Sequence, residues 1–194
     1  MVTVNSGNYM LWEAAVTVGE KFSGHYSASW DQQHALFVEA LKLNERDWIV
    51  ELGVCNGRTA AILARAAQIV DARYIGIDNF GLENSAVEIR GLFDKYGLPG
   101  EIWDANTHVA GLIWQSPINL LFIDAGHDEA NVKPDIELWV KWVRRDGVVA
   151  FHDWDEPYDR GSPHWAIRFY GEQATQGWER LESPIGMAMF RRPL

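Results

Sequence analysis

Four apolar stretches of the chain stop at residues whose types can bind a ligand or move a proton. The first, DWIVELG, ends with Glu51 and Gly53 and is followed by Gly57, and glycines let backbone approach a ligand that side chains would block. The second, RYIGID, ends in Asp78, about twenty residues beyond the glycine loop, where a strand–helix–strand unit delivers a carboxylate to ribose hydroxyls. These two strand ends therefore predict a binding site for a ribose-containing ligand.

The other two stretches end in carboxylate and imidazole groups. INLLFIDAG closes on Asp124, with His127 shortly after it, and DGVVAFHD closes on His152 and Asp153. Ligands of an open parallel sheet lie outside the carboxyl ends of its strands, so we expect both ends to face one crevice. Neighbouring side chains of a regular strand point to opposite faces, which predicts a structural role for His152, facing away from Asp153.

The hydrophobic periodicity predicts the elements that must position these residues. Strands alternate with helices, which implies right-handed crossovers and a parallel sheet, and the tail pairs GWERLES with GMAMFRR as an antiparallel hairpin. The expected fold is an α/β Rossmann-like three-layer αβα sandwich with a mostly parallel seven-stranded sheet and a C-terminal antiparallel hairpin. It forms one domain, residues 1–194, in which residues 1–30 are an N-terminal cap or substrate segment. The predicted helices are 31–43 with Asp31 as N-cap, the Ala-rich run that ends at 70, 85–97 and 131–143.

The order of these residues resembles the class I S-adenosylmethionine-dependent methyltransferases. Their first motif is an acid followed by Gly-x-x-x-Gly, their second strand ends in a ribose-binding acid, and their sheet ends in a hairpin. Gly53-x-x-x-Gly57 also lacks the Gly-x-Gly-x-x-Gly turn of a nicotinamide site. The resemblance implies that the loop holds the methionine part of the cofactor, that Asp78 binds the ribose and that Asp104 lines the adenine edge. The alternative for Asp104 is a solvated turn residue. The implied cofactor-binding set is Glu51, Gly53, Gly57, Asp78, Asn79, Phe80, Asp104, Ala105 and Asp124.

The combination of Asp-x-x-His with a later His-Asp resembles the small-molecule and sugar O-methyltransferases, some of which bind Mg²⁺. In the metal-dependent members, acids at the positions of Asp124 and Asp153 hold the ion, and a histidine at the position of His127 serves as the base. His152 and Trp154 flank Asp153 where those relatives offer a second acid or an amide, and imidazole is a poor magnesium ligand. His127 as a cap of the following helix and Asp153 as an organiser of the following loop are the alternatives.

The resemblance thus implies methyl transfer to a hydroxyl of a small molecule or sugar, with Asp124 and His127 as the catalytic residues. Two alternatives stay open at this point. One is a regulatory protein that binds the cofactor without transfer, and the other is a different enzyme on the same scaffold, such as a polyamine synthase or a metal-assisted hydroxylase. Acceptor specificity is expected in residues 1–30 and in the loop 154–165.

The amino-acid composition restricts the kinds of molecule that the protein is expected to bind. The formal net charge of −10 disfavours a nucleic-acid partner, because such binding draws its affinity from clustered Lys and Arg. The single cysteine, Cys55, is expected to be a packing residue, and His25 and His164 are given no role. No secretory leader or bilayer-length apolar run is present, which predicts a cytoplasmic protein without a membrane partner, while homo-oligomerisation is left open.

Overall fold

A seven-stranded sheet organises the computed structural model, which describes residues 6–22, 28–81, 85–154 and 164–194. The strand order is β3-β2-β1-β4-β5-β7-β6, in which neighbours up to β5 are parallel and β7 is antiparallel to both β5 and β6. The predicted sheet and its hairpin are therefore confirmed. The strands are Trp48–Leu52 (β1), Arg73–Asp78 (β2), Glu101–Asp104 (β3), Ile118–Ile123 (β4), Val143–His152 (β5), Glu179–Leu181 (β6) and Met187–Arg191 (β7).

Helices cover both faces of this sheet. On one face α1 to α4 enclose an apolar cluster that includes Leu36, Ile62 and Phe93, and on the other α5 to α7 enclose a second cluster that includes Ile136 and Trp139. This gives the predicted three layers. The helices are Ser6–Gly19 (α1), Trp30–Ala40 (α2), Arg58–Val70 (α3), Ala86–Tyr96 (α4), Thr107–Ile113 (α5), Glu129–Trp139 (α6) and Trp165–Ala174 (α7).

The central strands are continuous apolar runs because both of their faces are covered. All six residues of β4 are buried, and β1 carries a single acid, Glu51, among its buried residues. The polar residues of β1 and β4, Glu51 and Asn119, are buried and lie next to the last and the first residue of their strands.

Two helices have other bounds than predicted, since α2 also ends earlier, at Ala40, and α6 also begins earlier, at Glu129. Helix α2 begins at Trp30 with Ser29 as its N-cap, not Asp31, because Ser29 and Gln32 form a reciprocal capping box. Helix α6 ends at Trp139, and a single 3₁₀ turn leads directly into β5 at Val143, which is fully buried and pairs with β4. The last residues of the predicted helix 131–143 therefore belong to that turn and to the sheet.

The N-terminal segment packs into the helical layer. Ala15 and Val18 of α1 are buried in the first cluster, Gly19 lies against Ile62 of α3, and Phe22 is buried as well. None of the helices in the described parts of the chain combines the length and apolar character needed to cross a bilayer.

Candidate active site

A cavity of about 670 Å³ opens at the carboxyl ends of the parallel strands. Its wall is built from the loops that follow β1 to β5, and His164, just before α7, completes it. Its volume falls within the range of about 300–1,000 Å³ that is usual for small-molecule and cofactor sites.

The glycine loop between β1 and α3 is shaped by protein contacts. Gly53 has φ +89°, and a Cβ there would stand 2.0 Å from the carbonyl oxygen of Asp124. Gly57 has φ +83°, and a Cβ there would stand 2.8 Å from Ile89 and 2.9 Å from Phe22. The Cβ positions of both glycines are filled by other parts of the protein, so the glycines let β1 and its loop pack closely against neighbouring elements. Their role in letting backbone approach a ligand stays a prediction.

Asp78, at the end of β2, anchors this loop. Its Oδ2 accepts hydrogen bonds from the backbone N–H groups of Val54 and Cys55, both at 2.8 Å, and its Oδ1 accepts one from Phe80 at 2.7 Å. A carboxylate offers about four lone-pair positions, so Asp78 keeps acceptor capacity on the side that lines the cavity. Asn79 and Phe80 line the cavity too, next to Asp78 as predicted.

Glu51 lines the same cavity from the buried end of β1. Its side chain accepts a hydrogen bond from the hydroxyl of Tyr74 on β2, and a Cβ at Gly76 would stand 2.5 Å from that hydroxyl. Burial raises the pKa of Glu51 well above its usual range, against the opposing effect of the Tyr74 hydrogen bond, and the charges of Asp124 and Asp78 raise it further. Burial likewise raises the pKa of Tyr74.

The loop after β3 places its predicted residues away from the cavity wall. Asp104 is exposed and pairs with Asp78 across the two strands, and neither it nor Ala105 lines the cavity. The wall is formed one step further along the chain, by Asn106 and Thr107. Asn106 also caps α5 by accepting hydrogen bonds from the first-turn N–H groups, so the turn into α5 brings it inward.

Asp135 of α6 is a buried acid in the wall beside this loop. Its side chain is 1% exposed, and its Oδ1 lies 3.6 Å from Nε2 of His108. Burial raises the pKa of Asp135 to about 6, in opposition to a hydrogen bond with Thr107 and the charge of His108.

The ends of β4 and β5 bring two acids and two histidines together. Ligating atoms of Asp124, His127, His152 and Asp153 all lie within 4.8 Å of one another, and all four side chains are half-buried. Nδ1 of His152 is 2.9 Å from Oδ1 of Asp124 and 3.2 Å from Oδ2 of Asp153. Nε2 of His127 is 3.1 Å from Oδ2 of Asp153 and 3.9 Å from Oδ1 of Asp124. The predicted crevice residues Asp124, His127 and Asp153 therefore do meet.

His152 belongs to this group, contrary to the expectation that it faces away from Asp153. Strand β5 ends at His152, and Asp153 has a left-handed backbone conformation with φ 55°. The alternation of a regular strand stops at that residue, which lets both side chains face the cavity.

His127 does not cap the following helix. The N-cap of α6 is Asp128, whose side chain accepts a hydrogen bond from the backbone N–H of Asn131. The capping alternative for His127 is therefore wrong.

The charges of the group perturb one another. Interaction with Asp124 and Asp153 raises the pKa of His127 against the effect of its burial. Burial would lower the pKa of His152, but the same two carboxylates outweigh it and raise that pKa to about 10. Burial would raise the pKa of Asp153, but the histidines around it lower it.

His164 is a site residue that the sequence did not reveal. Its Nδ1 lies 3.9 Å from Oδ2 of Asp153, and its ring centroid is 4.8 Å from that of His127. No motif marks it, because it follows the loop after β5 and reaches the group only through the packing of α7. His25 lies outside the described residues.

A comparison with known protein families identifies the family to which this chain belongs. The family model described as a methyltransferase domain matches residues 50–154, more than half of the chain, and this span contains every predicted site residue. The chain belongs to this methyltransferase family. The matched span thus runs from the glycine loop through Asp78 to the Asp–His group.

Solved structures with low sequence identity share the fold. The O-methyltransferase from Bacillus cereus, in complex with SAH, is 16% identical with a TM-score of 0.65, and the match covers 99% of this chain and 94% of that one. CalS11, a TDP-rhamnose 3'-O-methyltransferase of calicheamicin biosynthesis, is 14% identical with a TM-score of 0.64, with 98% and 96% covered. An rRNA methylase from Streptococcus thermophilus is 12% identical with a TM-score of 0.63, with 88% and 100% covered. Across these structures one fold serves different acceptors.

Proposed function

We propose that this protein transfers a methyl group from S-adenosylmethionine to a hydroxyl of a small molecule or sugar. The observation that carries the proposal is one cavity with two different ends. A loop anchored by Asp78 forms one end, and the acids and histidines that follow β4 and β5 form the other. Methyl transfer needs a nucleoside site and a proton-accepting site side by side, and this cavity offers both.

The residues at the first end fit the cofactor. Asp78 retains acceptor capacity that would serve the ribose hydroxyls, and Asn79 and Phe80 beside it would contact the adenine. The backbone of residues 53–57 would hold the methionine part. Glu51 and Asp124 would face the positively charged part of the cofactor, since both line the same wall. When bound, the cofactor supplies an electrophilic methyl group on a sulfonium centre.

At the second end, His127 is the proposed general base. Its side chain is 39% exposed and lines the cavity, and its Nε2 lies 3.1 Å from Oδ2 of Asp153. Asp124 stands between this imidazole and the glycine loop, where it can orient an acceptor hydroxyl for in-line attack. A positioned base of this kind typically contributes about 10²–10⁴-fold to rate.

A divalent cation held by Asp124 and Asp153 is part of the same proposal. The two carboxylates approach the same imidazole nitrogen, Nδ1 of His152, and such an ion would lower the pKa of an acceptor hydroxyl. The donor set fits a cation, because ligating atoms of the two carboxylates and of neighbouring imidazoles lie within 4.8 Å of one another.

A small acceptor is favoured over nucleic acid. The formal net charge of −10 gives no basis for tracking a phosphate backbone, although one structure with this fold is described as an rRNA methylase. The two O-methyltransferases with this fold favour oxygen as the acceptor atom.

Methyl transfer is tested directly with cofactor that carries a labelled methyl group. The purified protein is incubated with a panel of sugars, sugar nucleotides and phenols, and the labelled product is identified by mass spectrometry. We expect label on a hydroxyl oxygen of one acceptor class. Cofactor binding without transfer to any acceptor would favour the regulatory alternative, and cofactor-dependent change without methyl transfer would favour another enzyme on this scaffold.

A further inference from the structure

We propose that His152 completes, with Asp124 and Asp153, a binding site for a divalent transition-metal ion such as Mn²⁺, Fe²⁺ or Zn²⁺, in place of the Mg²⁺ that the sequence suggested. The inference shares the cavity of the proposed function, but it concerns metal binding alone and can be tested without any methyl acceptor.

Interatomic distances in the group match the spacing of ligands around one ion. Ligand atoms that are bound at about 2.1 Å and lie at right angles stand about 3 Å apart. Nδ1 of His152 is 2.9 Å from Oδ1 of Asp124 and 3.2 Å from Oδ2 of Asp153. The imidazole nitrogen thus stands at coordination-shell spacing from both carboxylates, and ligating atoms of the three residues lie within 4.8 Å of one another.

The imidazole nitrogen of His152 also lacks a conventional hydrogen bond. Nδ1 has almost no accessible surface and no hydrogen-bond partner that meets the geometric criteria among the described residues, which is also true of Nε2 of His127. A buried polar atom normally has an aligned partner. Of these two nitrogens, only Nδ1 of His152 lies within 3.2 Å of both carboxylates, which is the placement expected of a ligand that shares an ion with them.

The donor chemistry selects the class of ion. Mg²⁺ prefers oxygen ligands only, whereas imidazole together with carboxylate suits Mn²⁺, Fe²⁺ and Zn²⁺. A site in which a histidine nitrogen lies within 3.2 Å of both acids cannot bind an ion at the two carboxylates without bringing that nitrogen into its shell. The position of His152 therefore disfavours Mg²⁺.

The two histidines of the group differ in exposure, which separates their roles. The side chain of His152 is 18% exposed and that of His127 is 39% exposed. The more buried imidazole lies between the acids, and the more exposed one lies nearer to the open cavity where an acceptor would bind. His152 is thus the ligand and His127 remains the base.

Manganese binding to the chelator-treated full-length protein tests this directly. Free Mn²⁺ is measured by electron paramagnetic resonance, Mg²⁺ serves as competitor, and pulsed measurements detect nitrogen coupled to the bound ion. We expect one Mn²⁺ per chain, nitrogen coupling, and displacement by Mg²⁺ only at about 100-fold excess or more. His152→Ala should abolish the coupling and weaken Mn²⁺ binding by about 100-fold, because even partners of ligands contribute about 10–100-fold.

Two variants serve as controls. His127→Ala should retain Mn²⁺ affinity within a few-fold. His108→Gln should retain it fully, because His108 is paired with the other buried acid of the cavity, Asp135, at 3.6 Å. If His152→Ala does not fold, the nitrogen coupling and the Mg²⁺ competition in the wild type decide alone.

Three outcomes would overturn the inference. Equal affinity for Mn²⁺ and Mg²⁺ without nitrogen coupling would indicate a site made of carboxylates only. Absence of Mn²⁺ binding would mean that the acids and histidines form a self-contained ion-pair network. Unchanged nitrogen coupling and Mn²⁺ affinity in a folded His152→Ala protein would show that His152 is not a ligand. Calorimetry with S-adenosylmethionine on the same samples reports on the proposed function separately, so failure of one is distinguishable from failure of the other.

Discussion

Asp78 illustrates how much a single residue type and position can predict. Its place at the end of the second strand predicts contact with a ribose, because a parallel sheet directs that position toward its ligand crevice. The sequence could not show that the carboxylate also accepts three backbone N–H groups, from Val54, Cys55 and Phe80. Those bonds depend on the path of the glycine loop, which only the folded chain defines.

Replacing Asp78 should therefore affect both cofactor binding and the loop. Asp78→Ala is expected to weaken S-adenosylmethionine binding by about 1.5–3 kcal/mol for each charge-assisted bond lost, and to lower the melting temperature. Calorimetry and thermal denaturation measure the two effects. Asp104→Ala is the matched comparison, because Asp104 is an exposed acid at the neighbouring strand end. Wild-type affinity in a folded Asp78→Ala protein would remove Asp78 from the site.

Adjacent residues His127 and Asp128 allow catalysis and stability to be separated. His127→Ala should lower turnover by about 10²–10⁴-fold with cofactor affinity nearly unchanged. Asp128→Ala removes the N-cap of α6 and should lower the free energy of unfolding by about 1 kcal/mol, with turnover per folded molecule preserved. Steady-state kinetics and urea denaturation are measured on both variants. Equal turnover losses in the two would indicate that His127 acts only through the local fold.

Asp135 should make stability depend on pH in a defined window. Burial raises its pKa in the folded protein from 3.8 to about 6, so the folded state holds a proton that the unfolded chain has already lost. The contribution of Asp135 to stability therefore falls as pH rises from about 4 to 6, and the loss is complete above the folded-state pKa. Asp135→Asn cannot ionise, so the free energy of unfolding of the wild type minus that of the variant should decrease across this window. A difference that stays constant in urea titrations over this range would contradict the assignment.

Among the helices and strands, those with a clear hydrophobic pattern could be predicted from the sequence. Strands β1, β4 and β5 stand out as apolar runs, and α4 is marked by its capping residue Ser85. Helices α1, α5 and α7 were not predicted. The exposed face of α5 carries Val109, Leu112 and Ile113, which inverts the usual amphipathic pattern. The N-cap residue of α7 does not cap that helix with its side chain.

The positions of the site residues could be predicted only where side chains alternate regularly between the two faces of a strand. The sequence placed Asp124 and Asp153 at neighbouring strand ends, because the apolar runs before them are unambiguous. It could not place His152 beside them, since that depends on the left-handed backbone of Asp153. His164 reaches the group through tertiary packing of α7, for which no local pattern exists.

The contact between β1 and β4 at Gly53 offers a test at this scale. Gly53→Ala should destabilise strongly, because its Cβ would stand 2.0 Å from the backbone oxygen of Asp124. Gly177→Ala is the control, since Gly177 has a similar φ of +81° but no atom within 4 Å of an added Cβ. Strain alone costs the control about 1–2 kcal/mol. Melting temperatures of the two variants are compared, and equal losses would contradict the close-packing role of Gly53.

For the whole molecule, the fold was predictable while the acceptor was not. Alternating strands and helices leave few topologies, and the family match across 50–154 agrees with the predicted one. Acceptor specificity is predicted to depend on residues 1–30 and 154–165. Parts of both segments lie outside the described residues, namely 1–5, 23–27 and 155–163. Such segments lack periodicity, so sequence patterns say little about which groups they present to a substrate. The assignment of specificity to them stays a prediction.

Cofactor binding by the whole domain is tested most directly by one titration. The purified, ligand-free protein is titrated calorimetrically with S-adenosylmethionine and, separately, with its demethylated product. We expect saturable binding of both ligands with one site per chain, because the loop anchored by Asp78 and the cavity beside it form one site. Absence of heat together with absence of a thermal shift at saturating cofactor concentrations would contradict the account.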